Sequence, residues 1–196
     1  MYKVVYYFLY IVLFPIYGFR FVGRENIPEG AAVVCGNHTA NIDAVFIALA
    51  NGPKWDFGIL GKEELFRFKP LADLFKWLGG VPVKRNSGDM QVIRVGFSIL
   101  KAGKKLLLFP EGTRVKQGME PVRAKAGAAM FAYRNQVPLV PMYIPAGRKA
   151  FRKNTVVIGK PYMLECEGKP SHEQYQLWVD ELMEKIQTLP RKELKQ

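Results

Sequence analysis

Residues 36–43, with the sequence G-N-H-T-A-N-I-D, place a histidine five positions before an aspartate. A neutral imidazole beside a carboxylate can take a proton from a hydroxyl group near pH 7. On an ideal helix five residues turn the chain by about 500°, so His38 and Asp43 would not share a helical face. They can meet if His38 lies in the turn that ends a strand and Asp43 lies in the first turn of the next helix. The spacing predicts a candidate catalytic pair that needs support from the rest of the chain.

A second candidate is the stretch F-P-E-G-T-R at residues 109–114, which completes and follows an apolar run. Gly112 allows the backbone to turn sharply or to approach a ligand, and Arg114 carries a planar guanidinium suited to phosphate or carboxylate. Glu111 can act as a Mg²⁺ ligand, accept a hydrogen bond from a hydroxyl group, or hold Arg114 in place. A tight turn with a surface ion pair is the alternative interpretation.

Basic side chains follow two other apolar runs. Lys84 and Arg85 come directly after G-G-V-P-V at residues 79–83, and Lys62 follows another short run. These side chains are either contacts for an anionic ligand or solvated strand ends. The second histidine of the chain, His172, lies in the first turn of a predicted helix and is interpreted as an exposed bystander.

Apolar runs alternate with helical patterns from residue 19 onward. The predicted strands cover residues 19–22, 31–35, 57–60, 81–83, 105–109, 139–144 and 155–158, and the predicted helices cover residues 42–51, 71–78, 91–102, 124–134 and 171–189. Buried strands separated by helices predict a single α/β domain with a mostly parallel or mixed central sheet flanked by helices. Ligands gather outside the carboxyl ends of such strands. His38, Lys62, Arg85 and Glu111 all lie just past the ends of predicted strands.

The run from Val4 to Phe19 is uncharged and rich in aromatic and aliphatic residues, with basic residues on both sides. It is shorter than the roughly 20 residues that cross a bilayer as a helix. Its aromatic residues and basic flanks, Lys3, Arg20 and Arg24, suit the headgroup region of an anionic membrane. We therefore expect a membrane-associated helix, and a buried core helix and a single transmembrane span are the alternatives. The expected divisions are an apolar segment at 1–18, the main domain at 19–190 and a charged tail at 191–196.

The chain carries 29 Lys and Arg residues against 17 Asp and Glu residues, which gives a formal net charge of +12. Such an excess indicates an anionic partner, either a phosphate ligand, an acidic protein, nucleic acid or an anionic membrane surface. The two cysteines, Cys35 and Cys166, are far apart and indicate a reducing compartment and no disulfide scaffold. Cys35 lies in a predicted buried strand, so a core role is favoured over a nucleophile. The sequence contains no C-x-x-C pair, and no metal site is expected.

Taken together, these stretches resemble the glycerolipid acyltransferase family, in particular the bacterial 1-acyl-glycerol-3-phosphate acyltransferases. Residues 37–43 are similar to the family's N-H-x-x-x-x-D block, and residues 109–114 match its F-P-E-G-T-R block at every position. Residues 80–85 are similar to the G-x-I-F-I-x-R block, with a proline in place of the common aromatic residue, and residues 137–141 are similar to the fourth block. The blocks occur in the family's order, and the resemblance covers about residues 19–160.

The resemblance implies transfer of a fatty acyl group from a thioester carrier, acyl-CoA or acyl carrier protein, to the sn-2 hydroxyl of lysophosphatidate, forming phosphatidate in phospholipid biosynthesis. It implies that His38 takes the hydroxyl proton and that Asp43 orients and charge-balances the imidazole, with no covalent acyl-enzyme, cofactor or metal. The expected location is the cytoplasmic face of the cell membrane. The predicted binding residues for the acceptor phosphate are Lys62, Arg85, Glu111, Gly112, Thr113, Arg114 and Lys125.

Other functions stay open at this point. Within the same fold, the acceptor can be glycerol-3-phosphate, another lysophospholipid or a lyso-aminolipid. From other classes, the alternatives are a hydrolase that uses the same pair on a thioester and a non-enzymatic basic protein that docks on a membrane or nucleic acid. The Lys and Arg residues are spread along the chain without the aromatic interleaving of a single-strand-binding face, which disfavours nucleic acid.

Overall fold

A mixed β-sheet forms the centre of the fold. The structure, a computed structural model, describes residues 2–54, 56–77, 79–83, 89–115, 118–120, 122–147 and 150–193. The strands are β1 (Phe19–Val22), β2 (Val33–Gly36), β3 (Phe57–Lys62), β4 (Gly80–Val83), β5 (Lys105–Leu108), β6 (Leu139–Tyr143) and β7 (Asn154–Ile158). They lie in the order β1-β7-β6-β2-β5-β3-β4.

The strand directions confirm the predicted fold class. Strands β6, β2, β5, β3 and β4 pair in parallel along the sheet. Strand β7 pairs antiparallel with β6 and parallel with β1, so the two strands at one edge run against the other five. The sheet is therefore mostly parallel but mixed, and the carboxyl ends of its five parallel strands lie along one edge.

Helices cover both faces of this sheet. They are α1 (Tyr2–Tyr17), α2 (Asp43–Ala50), α3 (Lys69–Trp77), α4 (Asp89–Lys101), α5 (Gly127–Asn135) and α6 (His172–Glu193). Successive side chains of a strand point to opposite faces, and β2 shows the result. Val34 packs into the core formed with α1 and α2, whereas Val33 and Cys35 pack into the core formed with α4, α5 and α6.

Helix α1 confirms that the apolar N-terminal run is helical, with Pro15 inside it. One side of α1 contributes Tyr6 and Leu9 to the core. Arg24, which we expected to face lipid, instead donates to the carbonyl oxygens of Leu49 and Ala50 at the end of α2, at 2.7 and 2.8 Å. Its guanidinium thus satisfies helix-end carbonyls that lack intrahelical partners. No helix among the described residues is long and apolar enough to span a membrane.

Helix α6 begins as the capping pattern predicts, because the Ser171 Oγ accepts a hydrogen bond from the backbone N–H of Gln174 at 3.2 Å. Its apolar stripe is buried against the sheet, and His172 is exposed in its first turn. The helix continues through Pro190 to Glu193, three residues into the segment that the sequence predicts as a tail.

Candidate active site

The turn between β2 and α2 brings the predicted pair together. Strand β2 ends at Gly36 and α2 begins at Asp43, so His38 lies in the turn and Asp43 in the first helical turn, as the spacing requires. The imidazole Nδ1 of His38 is 3.1 Å from the carboxylate Oδ2 of Asp43. The Asp43 side chain is fully buried, whereas the His38 side chain is 18% exposed. The aspartate is thus shielded from solvent while its partner remains accessible.

Asp43 also organises the backbone of the turn. Its Oδ2 accepts hydrogen bonds from the backbone N–H groups of Thr39 and Ala40, at 2.6 and 2.7 Å. An ionised carboxylate only accepts hydrogen bonds, so Nδ1 of a neutral His38 must carry the proton that lies between them. The other ring nitrogen, Nε2, then has a free lone pair and can act as a base. One buried oxygen therefore sets the turn, the ring orientation and the tautomer.

The F-P-E-G-T-R stretch lies against the same turn. The backbone N–H of His38 donates to the Oε2 of Glu111 at 2.6 Å, and the backbone N–H of Val115 donates to the carbonyl oxygen of His38 at 2.8 Å. The ring of Phe109 stacks on the imidazole, with centroids 4.0 Å apart and planes 14° from parallel. Both backbone groups and one ring face of His38 are therefore held by this stretch.

Strand β6 supports the turn from its other side. The side-chain amide of Asn37 donates to the carbonyl oxygen of Ile144 at 2.8 Å, and its carbonyl oxygen accepts from the N–H of Ile144 at 2.8 Å. Two reciprocal hydrogen bonds to one residue fix both the amide and the end of β6. The residue before the histidine is thereby tied to a neighbouring strand.

Glu111 lies against the turn of His38. Its carboxylate bonds the backbone of His38, and no ion pair joins it to Arg114 among the residues that the structure describes. Burial raises the pKa of Glu111 above its ordinary value, and the N–H group of His38 partly opposes this shift. The geometry favours a role in supporting the histidine turn, which is not among the three roles that the sequence suggests for Glu111.

The remaining part of this stretch carries three of the predicted phosphate contacts. Gly112 has φ +65°, and a Cβ atom there would lie 3.2 Å from the Cε of Lys125. The turn thus requires glycine, and it brings the Lys125 side chain against the backbone. Thr113, Arg114 and Lys125 are exposed to solvent. Helix α5 starts at residue 127 and not at 124 as predicted, and the N–H of Lys125, just before it, donates to the carbonyl oxygen of Pro110.

Two of the predicted phosphate-binding side chains, those of Lys62 and Arg85, lie outside the part of the structure that is described. Lys62 is the last residue of β3 and not a residue beyond it, and its side chain lies outside the described part of the structure. Arg85 lies outside the described residues altogether. Cys35 is fully buried in β2, and burial raises the pKa of its thiol, so this cysteine is a core residue as predicted.

A cleft of about 380 Å³ opens beside Glu111, between the segment that follows Arg114 and helix α6. Its volume falls in the range of small-molecule sites. Apolar side chains contribute much of its lining, namely Val115, Met119, Val122 and Met183. In the described part of the chain, no cluster of three or more His, Cys, Asp or Glu residues could hold a metal ion.

The sequence pattern that defines the acyltransferase family matches residues 18–145, which is more than half of the chain. The chain belongs to the acyltransferase family. The match includes both the turn of His38 and Asp43 and the stretch that packs against it.

Curated relatives and a solved structure extend this family assignment. A 1-acyl-sn-glycerol-3-phosphate acyltransferase of Bacillus subtilis (strain 168) is 27% identical over 182 residues, which is 89% of each chain. The chloroplastic 1-acyl-sn-glycerol-3-phosphate acyltransferase BAT2 of Brassica napus is 31% identical over 137 residues, 67% of this chain and 38% of the relative. The crystal structure of the 1-acyl-sn-glycerophosphate (LPA) acyltransferase PlsC from Thermotoga maritima is 25% identical and has a TM-score of 0.70. That match covers 96% of this chain and 78% of the PlsC chain.

Two contacts of the acyltransferase site were not predicted. Phe109 and Asn37 lie in the recognised blocks. The stacking of Phe109 on His38 and the hydrogen bond from Asn37 to Ile144 both depend on strands that are distant in the sequence. The signal available was their position next to residues with chemical roles. Neither residue type indicates such a contact by itself.

Proposed function

We propose that this chain is a 1-acylglycerol-3-phosphate O-acyltransferase, which moves a fatty acyl group from a thioester carrier to the sn-2 hydroxyl of lysophosphatidate. The names of the relatives in Bacillus and Brassica and of the Thermotoga structure support this substrate class. The donor is acyl-CoA or acylated acyl carrier protein, both of which hold the acyl group as a thioester on an anionic carrier. A chain with a net charge of +12 suits either donor.

The chemistry follows from the tautomer of His38. Its Nε2 takes the proton of the sn-2 hydroxyl while the hydroxyl oxygen attacks the thioester carbonyl carbon. The C–S bond then breaks, and the departing thiolate receives the proton from the imidazolium. Asp43 stabilises the imidazolium between these two steps, because its carboxylate faces the Nδ1–H in a buried position. No covalent acyl-enzyme is needed, and phosphatidate and the free thiol carrier are the products.

The observation that carries this proposal is the single Asp43 oxygen that accepts from Nδ1 and from two backbone N–H groups. A structural histidine needs no partner that also fixes its own turn. This arrangement leaves the remaining ring nitrogen as the accessible base. A positioned base accelerates proton transfer by about 10²- to 10⁴-fold. Alignment of the two substrates must supply much of the rest.

We assign the acceptor phosphate to the exposed basic groups beside the turn. Arg114 is exposed on the stretch that is bonded to the backbone of His38, and Lys125 is exposed where its backbone N–H donates to Pro110 of that stretch. A guanidinium binds phosphate through two parallel hydrogen bonds, which orients it as well as attracting it. By the resemblance, Arg85 and Lys62 belong to the same set. The cleft beside Glu111, which is lined by both apolar and charged side chains, is the space that we assign to an acyl chain.

We also propose that the protein lies on the cytoplasmic face of the cell membrane through α1. This helix exposes a second apolar side, opposite its buried one, formed by Val4, Tyr7, Phe8, Ile11, Val12 and Phe14. Exposed apolar patches of this kind mark interaction sites, and aromatic residues suit the lipid headgroup region. The acceptor can then keep its aliphatic chain in the leaflet while its phosphate reaches the site.

The test is an acceptor panel with one labelled acyl thioester, measured on purified wild type, His38→Ala and Arg114→Ala. We expect lysophosphatidate to be acylated by wild type and the rate to fall about 10²- to 10⁴-fold in His38→Ala, with folding retained. Arg114→Ala should mainly raise KM for phosphorylated acceptors. No product from wild type with either carrier, or an unchanged rate in His38→Ala, would contradict the proposal. An equal loss with a non-phosphorylated acceptor in Arg114→Ala would contradict the phosphate assignment.

A further inference from the structure

An aromatic residue lies exposed in a strained conformation between β6 and β7. Phe151 is 82% exposed, the largest exposure among the large hydrophobic side chains that the structure describes. Its φ is +62°, in the left-handed region that residues other than Gly, Asn and Asp rarely adopt. Its N–H donates to the carbonyl oxygen of Ile16 at 2.6 Å. The backbone is therefore held in a costly conformation that presents a large apolar ring to solvent.

The segment 150–153 and the end of α1 form one joint. The carbonyl oxygens of Ile16, Tyr17 and Gly18 accept hydrogen bonds from the N–H of Phe151, the side-chain amide of Asn154 and the N–H of Asn154, respectively. A Cβ atom on Gly18 would lie 2.9 Å from the carbonyl oxygen of Arg152, so glycine permits this close approach. The exposed apolar side of α1 and the Phe151 ring thus belong to two backbone segments that these hydrogen bonds join.

The sequence on either side of this joint is basic. Residues 1–24 and 136–164 contain eight Lys and Arg residues and no Asp or Glu residue, and the next residue after each range is a glutamate. Arg152 and Lys153 directly follow Phe151 and are exposed, as is Arg20 on β1. Cations next to an exposed aromatic ring complement a surface that is anionic above and apolar below. An anionic lipid bilayer is such a surface.

The same stretch leads to the active site. Strand β6 runs parallel to β2, and Ile144, just after β6, is the residue held by both hydrogen bonds of the Asn37 side chain. Asn37 directly precedes His38. Segment 150–153 follows within ten residues of Ile144 and ends at β7. A surface bound there lies at the carboxyl-end edge of β6, the edge from which the histidine turn emerges.

We propose that residues 150–153 are a membrane-contact element in their own right, with Phe151 inserted at the headgroup level of an anionic bilayer and Arg152 and Lys153 bound to lipid phosphates. The purpose of this contact, presentation of a lipid acceptor to His38, rests on the proposed function. The contact itself rests on the exposure, the charge and the joint with α1. The strain at Phe151 is explained because a residue chosen for the fold alone would be glycine.

The first experiment measures binding to vesicles by flotation. The vesicles are phosphatidylcholine alone or phosphatidylcholine mixed with phosphatidylglycerol. The variants are Phe151→Gly and the double variant Arg152→Gln/Lys153→Gln. Matched controls on the other face of the sheet are Leu177→Ala, an exposed apolar residue of α6, and the double variant Arg134→Gln/Lys101→Gln. All are compared with wild type at low and high salt.

We expect the double variant Arg152→Gln/Lys153→Gln to bind anionic vesicles roughly 25-fold more weakly at low salt, at about five-fold for each basic residue. The difference should shrink at high salt and on phosphatidylcholine alone. Phe151→Gly should weaken binding severalfold on anionic vesicles, with an unchanged or raised melting temperature because glycine adopts φ +62° without steric cost. The controls should bind as wild type does.

A second measurement locates the ring. Phe151→Trp and Leu177→Trp are compared with wild type for quenching of tryptophan fluorescence by lipids brominated on their acyl chains. We expect added quenching only in Phe151→Trp. Wild-type binding by both test variants, or no added quenching in Phe151→Trp, would overturn the proposal whether or not the protein transfers acyl groups.

Turnover separates this contact from a role in chemistry or in donor docking. Phe151→Gly should lose activity on lysophosphatidate presented in anionic vesicles and keep wild-type kcat/KM on a short-chain lysophosphatidate dissolved as monomers. An equal loss on the dissolved acceptor would overturn the proposal. A loss confined to acyl carrier protein as donor, with vesicle binding intact, would assign the segment to the carrier instead. If wild type transfers no acyl group at all, only the proposed function fails, and the vesicle data still decide the contact.

Discussion

Two pairs, each formed by a carboxylate and a basic side chain, lie at opposite ends of the parallel strands. The pair of His38 and Asp43 follows the carboxyl end of β2, whereas Lys105 is the first residue of β5 and pairs with Asp56, just before β3. Each pair combines an almost fully buried member with a more exposed one. Asp43 is 0% exposed in the first pair, and Lys105 is 3% exposed in the second.

The pairs differ in what they leave open. Both oxygens of Asp56 have partners, because Oδ1 accepts from the amide of Asn51 at 2.8 Å and Oδ2 pairs with the ammonium of Lys105. In the first pair, the Nε2 of His38 makes no hydrogen bond to any residue that the structure describes, and the ring reaches solvent. In a pair that stabilises the fold, both carboxylate oxygens have partners, as in Asp56. A pair that can do chemistry keeps one nitrogen atom accessible to substrate, as in His38.

The comparison is tested most directly by making the same substitution in both carboxylates. Asp43→Asn should lower kcat/KM by about 10²- to 10⁴-fold, because an amide that donates to Nδ1 selects the wrong tautomer and cannot stabilise an imidazolium. Asp56→Asn should leave kcat/KM of the folded protein unchanged. Turnover with one labelled thioester and titration of the folded fraction by denaturant measure the two effects. Equal losses of turnover in both variants would remove the distinction between the pairs.

The second pair predicts an asymmetry in stability. Asp56→Asn leaves the charge of Lys105 buried without a counter-ion, so the free energy of unfolding should fall by about 3 kcal/mol. Lys105→Met should cost about 1 kcal/mol or less, since Asp56 is 31% exposed and keeps its bond from Asn51. Urea unfolding monitored by circular dichroism checks both values. A larger loss in Lys105→Met than in Asp56→Asn would show that the burial of the lysine is not the controlling factor.

The local part of the site could be predicted from the sequence. The turn of His38 and the helical start at Asp43 depend on an apolar run, a short polar gap and another apolar run within about twenty residues. The same reasoning predicts the strands, because buried parallel strands are continuously apolar. The positions of catalytic side chains can be predicted where they depend only on residues that are close in the sequence.

The contacts between distant segments could not be predicted. Glu111 reaches the backbone of His38 across 73 residues, and this meeting depends on β2 and β5 being neighbours in the sheet. Arg24 was expected at a lipid surface, and its position on the carbonyl oxygens of α2 depends on where α2 ends in space. Strand order and helix placement follow from the packing of the whole domain, to which no single stretch of sequence gives access.

The smallest loss of turnover that we predict concerns how Glu111 supports the pair of His38 and Asp43. Glu111→Ala removes the acceptor for the N–H of His38, which is 2.6 Å from Oε2, and should lower kcat/KM about ten-fold, mainly through kcat. Glu111→Gln keeps a carbonyl acceptor at the same place and should restore turnover to within a few-fold of wild type. A Mg²⁺ ligand or a charged contact to substrate would lose its role in both variants. Equal losses in Ala and Gln variants would therefore contradict the positioning role.

The two Glu111 variants also differ from wild type in pH dependence. Because burial raises the pKa of Glu111 above its ordinary value of 4.5, the folded state binds this proton more tightly than the unfolded state does. The resulting stabilisation is complete below pH 4.5 and is lost as the pH rises through the raised pKa. The free energy of unfolding of wild type minus that of Glu111→Gln should thus fall over this interval and stay constant at higher pH. A difference that grows with pH would mean that the fold favours the ionised carboxylate of Glu111. Glu111 would then resemble Asp56, which pairs with Lys105, and not a residue that supports the pair of His38 and Asp43.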